Sequence, residues 1–176
     1  MFQPRVLIAY FSHRGQNYVN GDIVDLPVGN TEVVAKKLQS MLGGDLLRIE
    51  QQETYPEDYH KLTDAAKQEL RNGTRPVLRT ALPDMAAYDV LFLGYPNWWG
   101  TLPMPVWTFL EGIDTCNKKI APFCTNEGSG MGRSEKDLRK LCPEAEILQG
   151  LALIGHEVAQ SDSLLENWTH QLGFTK

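Results

Sequence analysis

The run Arg5-Val6-Leu7-Ile8-Ala9-Tyr10-Phe11 limits the fold more than any other stretch of the chain. It is almost continuously apolar and rich in branched and aromatic residues, without the alternation of a strand that has one wet face. Such a strand must be covered on both faces, so it belongs at the centre of a sheet. The segments after it alternate in kind. Val33, Val34, Leu38, Met41 and Leu42 recur at helical spacing between Asn30, read as an N-cap, and Gly43-Gly44, read as a stop. Leu46–Ile49 is a second strand, which makes a strand–helix–strand unit.

The alternation persists to the end. Thr54-Tyr55-Pro56-Glu57 reads as a capping box opening a helix that runs to Asn72-Gly73. Tyr88–Gly94 is a strand, Pro105–Glu111 a short helix and Lys119–Cys124 a strand. Ser134 and Asp137 are read as caps of a helix ending before Pro143. Ile147–Ile154 is a last strand interrupted at Gly150, and Ser161 opens a closing helix striped by Leu164, Leu165, Trp168 and Leu172. Five strands alternating with helices predict a mostly parallel sheet with helices on both faces, because parallel neighbours need crossover connections. One domain over residues 1–176 suffices, since chains of this size bury roughly 70% of the surface that their unfolded form exposes. Ligands of such sheets sit beyond the carboxyl ends of the strands, where the strand order reverses.

Composition removes several function classes. The net charge of −5, with lysines and arginines scattered, gives no footprint for a nucleic-acid backbone. No apolar run approaches the roughly 18 residues that span a bilayer, and the amino terminus lacks a signal-peptide pattern, so a cytoplasmic protein is expected. Cys116, Cys124 and Cys142 lack C-x-x-C spacing and read as reduced, semi-buried thiols. His13, His60, His156 and His170 have no metal spacing, so no metal site is expected. Gly128-Ser129-Gly130 follows Glu127, which is not the glycine that a G-x-S-x-G elbow needs; Arg133 is too far from Cys124 for a C-x5-R phosphatase loop.

Three loops at the carboxyl ends carry the unusual residues. The first begins Ser12-His13-Arg14-Gly15-Gln16-Asn17 and enters the first helix through Gly29-Asn30-Thr31-Glu32. Hydroxyls, amides and free N–H groups at a helix start suit a phosphate, although a plain N-cap and turn would share that composition. The loop has neither G-K-[ST] nor G-x-G-x-x-G. The second is Tyr95-Pro96-Asn97-Trp98-Trp99-Gly100, where two indoles beside Pro and Gly either stack on a planar ligand or serve the core. The third, Thr125-Asn126-Glu127-Gly128-Ser129-Gly130-Met131-Gly132, either turns backbone N–H groups to a ligand edge or is a mobile surface loop.

In that order, the Ser-containing loop, GNTEVV, GYPNWWG and TNEGSGMG make the chain resemble the flavodoxin-like FMN-binding family over essentially its whole length. The resemblance implies a flavodoxin-like three-layer α/β sandwich with strand order 2-1-3-4-5 and non-covalent FMN at the switch point. It implies that Ser12, Arg14, Asn30 and Thr31 hold the phosphate, with Asn17 a second candidate for the phosphate Asn. Pro96, Asn97, Trp98, Trp99 and Gly100 match one ring-contacting loop, at least one indole lying against the isoalloxazine. Thr125, Glu127, Gly128, Ser129 and Gly130 match the other. The family's compact S-x-T-G-N-T is split here: Arg14 stands at the Thr, and the insert Gln16–Val28 either walls a substrate pocket or elaborates the surface.

The cofactor would carry the chemistry, so no catalytic side chain is assigned. An acidic chain disfavours an anionic reduced flavin and predicts a strong reductant. A backbone carbonyl near Asn97 is implied as acceptor for the ring N5–H of reduced flavin. The leading expectation is electron transfer between larger redox proteins. The alternative is an NAD(P)H-dependent FMN oxidoreductase that reduces quinones or other small acceptors, and the third reading is a cofactor-free interaction module. The partners expected are a redox protein, or NAD(P)H with a small acceptor, and a second copy of the chain in a homodimer.

Overall fold

A computed structural model describes residues 3–174 of the chain. The apolar run opens as β1 (Val6–Tyr10), buried along its whole length. A hairpin, β2 (Gly15–Val19) and β3 (Asp22–Leu26), precedes α1 (Asn30–Leu42) and β4 (Asp45–Arg48). Then come α2 (Tyr59–Asn72), β5 (Val90–Pro96), α3 (Met104–Gly112), β6 (Lys119–Asn126) and α4 (Ser134–Leu141). The chain closes with β7 (Glu146–Ile147), β8 (Leu151–Ile154), a 3-10 turn at Gly155–Gln160 and α5 (Asp162–Gln171).

The sheet runs β4-β1-β5-β6-β7, with β8 also pairing β6, and its pairings are parallel. This is the expected order 2-1-3-4-5, the fifth strand being split around Leu148–Gly150. At the break Gly150 lies close against the neighbouring segments, where an added Cβ would stand 2.7 Å from Met131 Cε and 3.2 Å from Pro122 O. Alternate residues of β1 feed opposite layers. Leu7, Ala9 and Phe11 join Val106, Phe109 and Leu138 of α3 and α4, whereas Val6, Ile8 and Tyr10 join Val34, Leu38 and Leu165 of α1 and α5. No helix among the described residues is long and apolar enough to cross a membrane.

Three helix starts differ from the sequence reading. Asn30 is the first helical residue of α1, not its cap; Gly29 holds the cap position, and the hydroxyl of Ser12 accepts from the Glu32 N–H at 3.1 Å. The Thr54–Glu57 box lies in a loop, because Asp58 caps α2 by accepting from Lys61 N at 2.9 Å. Ser134 is inside α4, where its hydroxyl donates to Met131 O at 2.6 Å; Asp137 accepts instead from Thr101 Oγ1 at 2.5 Å. A Ser, Asn or Asp that could cap locally can also bond elsewhere: Ser12, distant in sequence, supplies the acceptor at the start of α1 and Thr101 takes Asp137 of α4, whereas Ser134 stays with Met131 one turn back, and spacing alone does not encode which partner wins. The insert is the fourth difference. Asn20 and Gly21, at φ 47° and 99°, form the two-residue turn of an antiparallel hairpin standing off the main sheet.

Candidate functional site

Beyond the carboxyl ends of β1, β5 and β6, where the strand order reverses, lies a cavity of about 290 Å³. The start of α1 forms one wall. The first N–H groups of a helix lack intrahelical acceptors and carry the positive end of its dipole, so Asn30 and Thr31 present donors and a favourable field there. Thr31 is buried, and its hydroxyl shares a 2.8 Å hydrogen bond with Thr125 Oγ1 at the end of β6. Gly29 lets the loop close beneath them: a Cβ at that position would stand 2.2 Å from Ser12 Oγ and 2.7 Å from His13 O.

The doubled tryptophan is resolved by a reversal of the chain. Trp98 N donates to Thr101 O at 3.0 Å and Trp98 O accepts from Thr101 N at 3.3 Å. Trp99 and Gly100 form the tip of this turn, at φ 55° and 84°. A bulky residue in the left-handed region costs about 1–3 kcal/mol, offset by what the turn places. Trp98 goes inward, its ring 5.1 Å from both Phe11 and Tyr55 and 6.1 Å from His13, with part of its surface on the cavity. Trp99 goes outward onto α2, donating from Nε1 to Thr63 O at 2.9 Å beneath the Lys67 ammonium.

Asn97 joins the second loop to the third. Its Nδ2 donates to Gly130 O and its Oδ1 accepts from Gly100 N, both at 2.9 Å. Asn126 organises the third loop from within, since its Oδ1 accepts from Gly128 N at 2.8 Å and Gly130 N at 3.0 Å. These two backbone amides, expected to face a ligand, are therefore turned inward. The alternating glycines serve the tight winding around Asn126, Gly128 and Gly130 both having positive φ. Glu127 lines the cavity and acts as a clasp: its carboxylate accepts from His156 N at 3.0 Å, meets His156 Nδ1 at 2.6 Å and accepts from Asn20 N at the hairpin tip at 3.2 Å. It ties three separate segments across the mouth.

Of the residues singled out from sequence, Asn17, Asn30, Thr31, Pro96, Asn97, Trp98, Thr125, Glu127 and Ser129 meet at this cavity. Ser12 and Arg14 face a neighbouring cavity instead. Trp99, Gly100, Gly128 and Gly130 support the loops without lining it. Both phosphate-Asn candidates line it, but Asn17 Nδ2 is engaged by His13 O and Gly15 O, each at 3.0 Å. Tyr18 of the insert, read as a possible pocket wall, lines the cavity as well, whereas sequence reasoning missed His13, Asn126 and Gly155. Asn20-Gly21 signals the hairpin that carries Tyr18, and Asn126 two places before a glycine is a turn signature. Gly155 had no comparable signal. A Cβ there would lie 2.5 Å from Glu127 Oε1.

The titratable groups nearby do not make an acid–base centre. Burial, reinforced by Arg48, lowers the His13 pKa and keeps its imidazole neutral at neutral pH. Burial pushes the Cys124 thiol far up, so it is no thiolate nucleophile. Burial also raises Tyr55, helped by its 2.7 Å hydrogen bond to Glu69. Polar donors at a helix start, a rigid indole and no nucleophile describe a binding site for a molecule that brings its own reactivity.

Comparison with known proteins agrees. A profile of the family described as flavodoxin matches residues 5–172. The chain belongs to the flavodoxin family. Flavodoxin 1 of Escherichia coli strain K12 is 26% identical over 148 residues, a match covering 78% of this chain and 66% of that protein. A Bacteroides eggerthii protein assigned to the flavoproteins, solved as a crystal structure, superposes with a TM-score of 0.78 at 28% identity, over 97% of this chain and 98% of its own. A Lactobacillus acidophilus flavoprotein solved in complex with FMN shares the fold, with a TM-score of 0.64 at 21% identity over 89% of this chain and 97% of its own. This flavodoxin-family chain differs from the compact motif in its hairpin, which is inserted between the two halves of the loop that starts α1.

Proposed function

We propose that the chain is an FMN-dependent redox protein that passes electrons through a flavin held non-covalently in the 290 Å³ cavity. The observation that carries this reading is the meeting of the α1 amino terminus, the Trp98 loop and the Thr125–Ser129 segment in one cavity at the switch point. The residues fit such a group. Asn30 and Thr31, with the helix field, suit a phosphate, and Asn30 is favoured over Asn17 because the Asn17 amide is already engaged within its own loop. Trp98 and Asn97 suit the planar ring, and Ser129 supplies a hydroxyl at its edge. When bound, the flavin supplies the electron chemistry; the chain positions it and excludes water from one face. Glu127, tied to the hairpin tip, retains it behind a clasp.

The carrier reading assigns a redox protein as partner, and the reductase reading assigns NAD(P)H and a small acceptor. Purification and reconstitution with FMN tests the cofactor, and stopped-flow mixing with NADH or NADPH then separates the two. Flavin absorbance that stays oxidised after mixing assigns the carrier; rapid bleaching assigns the reductase; a chain that takes up no flavin overturns both. A substitution tests the phosphate end. Thr31→Val should weaken FMN about tenfold or more, the scale of one hydrogen bond to a charged group, and leave riboflavin less affected. Equal losses for the two would remove Thr31 from the phosphate.

A further inference from the structure

The hairpin β2–β3 is a sheet of its own, and none of its strand residues is buried. Among the described residues it pairs with no strand of the main sheet, and two hydrogen bonds tie it to other elements. One is at the base, where Gln16 Oε1 accepts from Tyr59 N at the start of α2 at 2.8 Å. The other is at the tip, where Asn20 N donates to Glu127 Oε2 at 3.2 Å. A segment without buried apolar contacts belongs to the low-stability end of a fold, so its closure depends on such ties. Glu127 is the fixed half of the tip contact, because its carboxylate accepts from His156 N at 3.0 Å and meets His156 Nδ1 at 2.6 Å. Releasing Asn20 leaves both His156 contacts in place, whereas releasing His156 strips two partners at once. The hairpin is therefore the side that opens. A hydrogen bond to a charged acceptor shifts an equilibrium by about tenfold to a hundredfold, which favours the closed form and keeps the open one populated.

We propose that the hairpin is a lid on the switch-point cavity, hinged at the Gly15 and Leu26 pair and latched by the Asn20 N–H on the Glu127 carboxylate, and that a flavin enters and leaves through the unlatched form. This rests on the reading of that cavity as the flavin site, but the latch belongs to the chain with or without flavin. Asn17 and Tyr18 line the cavity from the hairpin, so opening withdraws one wall. Gly15, at φ 94°, gives the base a residue that tolerates the backbone change of a hinge. A latch that closes in the empty and the filled chain alike slows entry and exit by the same factor and leaves affinity nearly unchanged. Repulsion between Glu127 and a phosphate would act otherwise, since its removal speeds entry and slows exit.

Two measurements on the full chain test the lid. Without flavin, amide hydrogen exchange followed by NMR should show the Asn20 N–H protected about tenfold or more, and Glu127→Ala should remove that protection while the β1 and β5 amides keep theirs. With FMN, stopped-flow fluorescence should show Glu127→Ala speeding association and dissociation together, each by about tenfold or more, with a dissociation constant within a few-fold of the parent's. A second variant opens the lid without touching Glu127. Deleting Tyr18, Val19, Asp22 and Ile23 joins the Asn20-Gly21 turn to the Asn17 and Val24 pair, and removing two rungs keeps the alternation of antiparallel pairs. It too should speed both rates. The lid is overturned, with the flavin site intact, if FMN binds and neither variant changes its rates, if exit slows as entry quickens, or if the parent's Asn20 amide exchanges as in an unfolded chain. A parent that takes up no FMN overturns the flavin reading and the lid with it.

Discussion

Trp98→Ala should reduce FMN affinity by roughly tenfold to a hundredfold, the scale of about 1–3 kcal/mol for a planar ring stacked on an aromatic side chain, whereas Trp99→Ala should change it only a few-fold. The asymmetry comes from the turn. Trp98 sends its ring to the cavity among Phe11, Tyr55 and His13, and Trp99 lies 46% exposed on α2 beneath Lys67. Trp98 also packs the core, so its truncation destabilises the chain without any cofactor, by up to about 3–5 kcal/mol for a fully buried indole. Two measurements separate packing from stacking. Trp98→Phe keeps most of the contact with Phe11 and Tyr55 and should recover the apoprotein's melting temperature ahead of its flavin affinity. Fluorescence titration with FMN reads the affinity directly. Wild-type affinity in Trp98→Ala, or a larger loss in Trp99→Ala, would reverse the assignment of the two rings.

The same turn shows where sequence reading stops. Alternating patterns and the unbroken apolar run at Val6–Tyr10 were enough for the layers and a mostly parallel sheet, since a strand buried on both faces needs helices on each side, whereas the strand order followed from the family resemblance carried by the loops. The three loops were legible because they come after strands that must end on one rim. What each side chain does on that rim was less so. Nothing in the letters Trp-Trp-Gly says which indole takes the left-handed position, and nothing in Thr-Asn-Glu-Gly says that Asn126 consumes the glycine amides. Ser134 and Asp137 resembled local caps, yet one bonds back across a turn to Met131 and the other holds Thr101 in a different loop. The hairpin was legible in principle, from Asn20-Gly21, but its exposed strands lack the apolar alternation that marks a buried one. His13 was the most serious omission. A lone histidine with no metal spacing looks bland until burial strips its Nε2 of partners beside two cavities.

Gly29→Ala should abolish tight FMN binding while sparing riboflavin, and it is the sharpest test of the split loop. The backbone there is ordinary, at φ −65° and ψ 149°, so alanine meets no conformational penalty. The obstacle is contact. The new methyl would stand 2.2 Å from Ser12 Oγ and 2.7 Å from His13 O, and backbone cannot swing aside as a flexible side chain can. Relieving it must move Ser12 off the Glu32 N–H and push the His13 carbonyl that receives Asn17 Nδ2, loosening the α1 start and the hairpin together. Overpacking of this kind costs about 1–3 kcal/mol in stability, and a displaced helix start loses the aligned donors that a phosphate needs, at least about tenfold in affinity. Gly21→Ala is the matched control, a glycine where an added methyl would meet no atom within 4 Å but where φ is 99°, so that its cost is conformational and confined to the hairpin tip. Adding Ser12→Gly to Gly29→Ala removes the closer clash and leaves the carbonyl one, so it should restore part of the melting temperature and little of the FMN affinity. Unchanged FMN binding in Gly29→Ala would show that the phosphate does not sit at the start of α1.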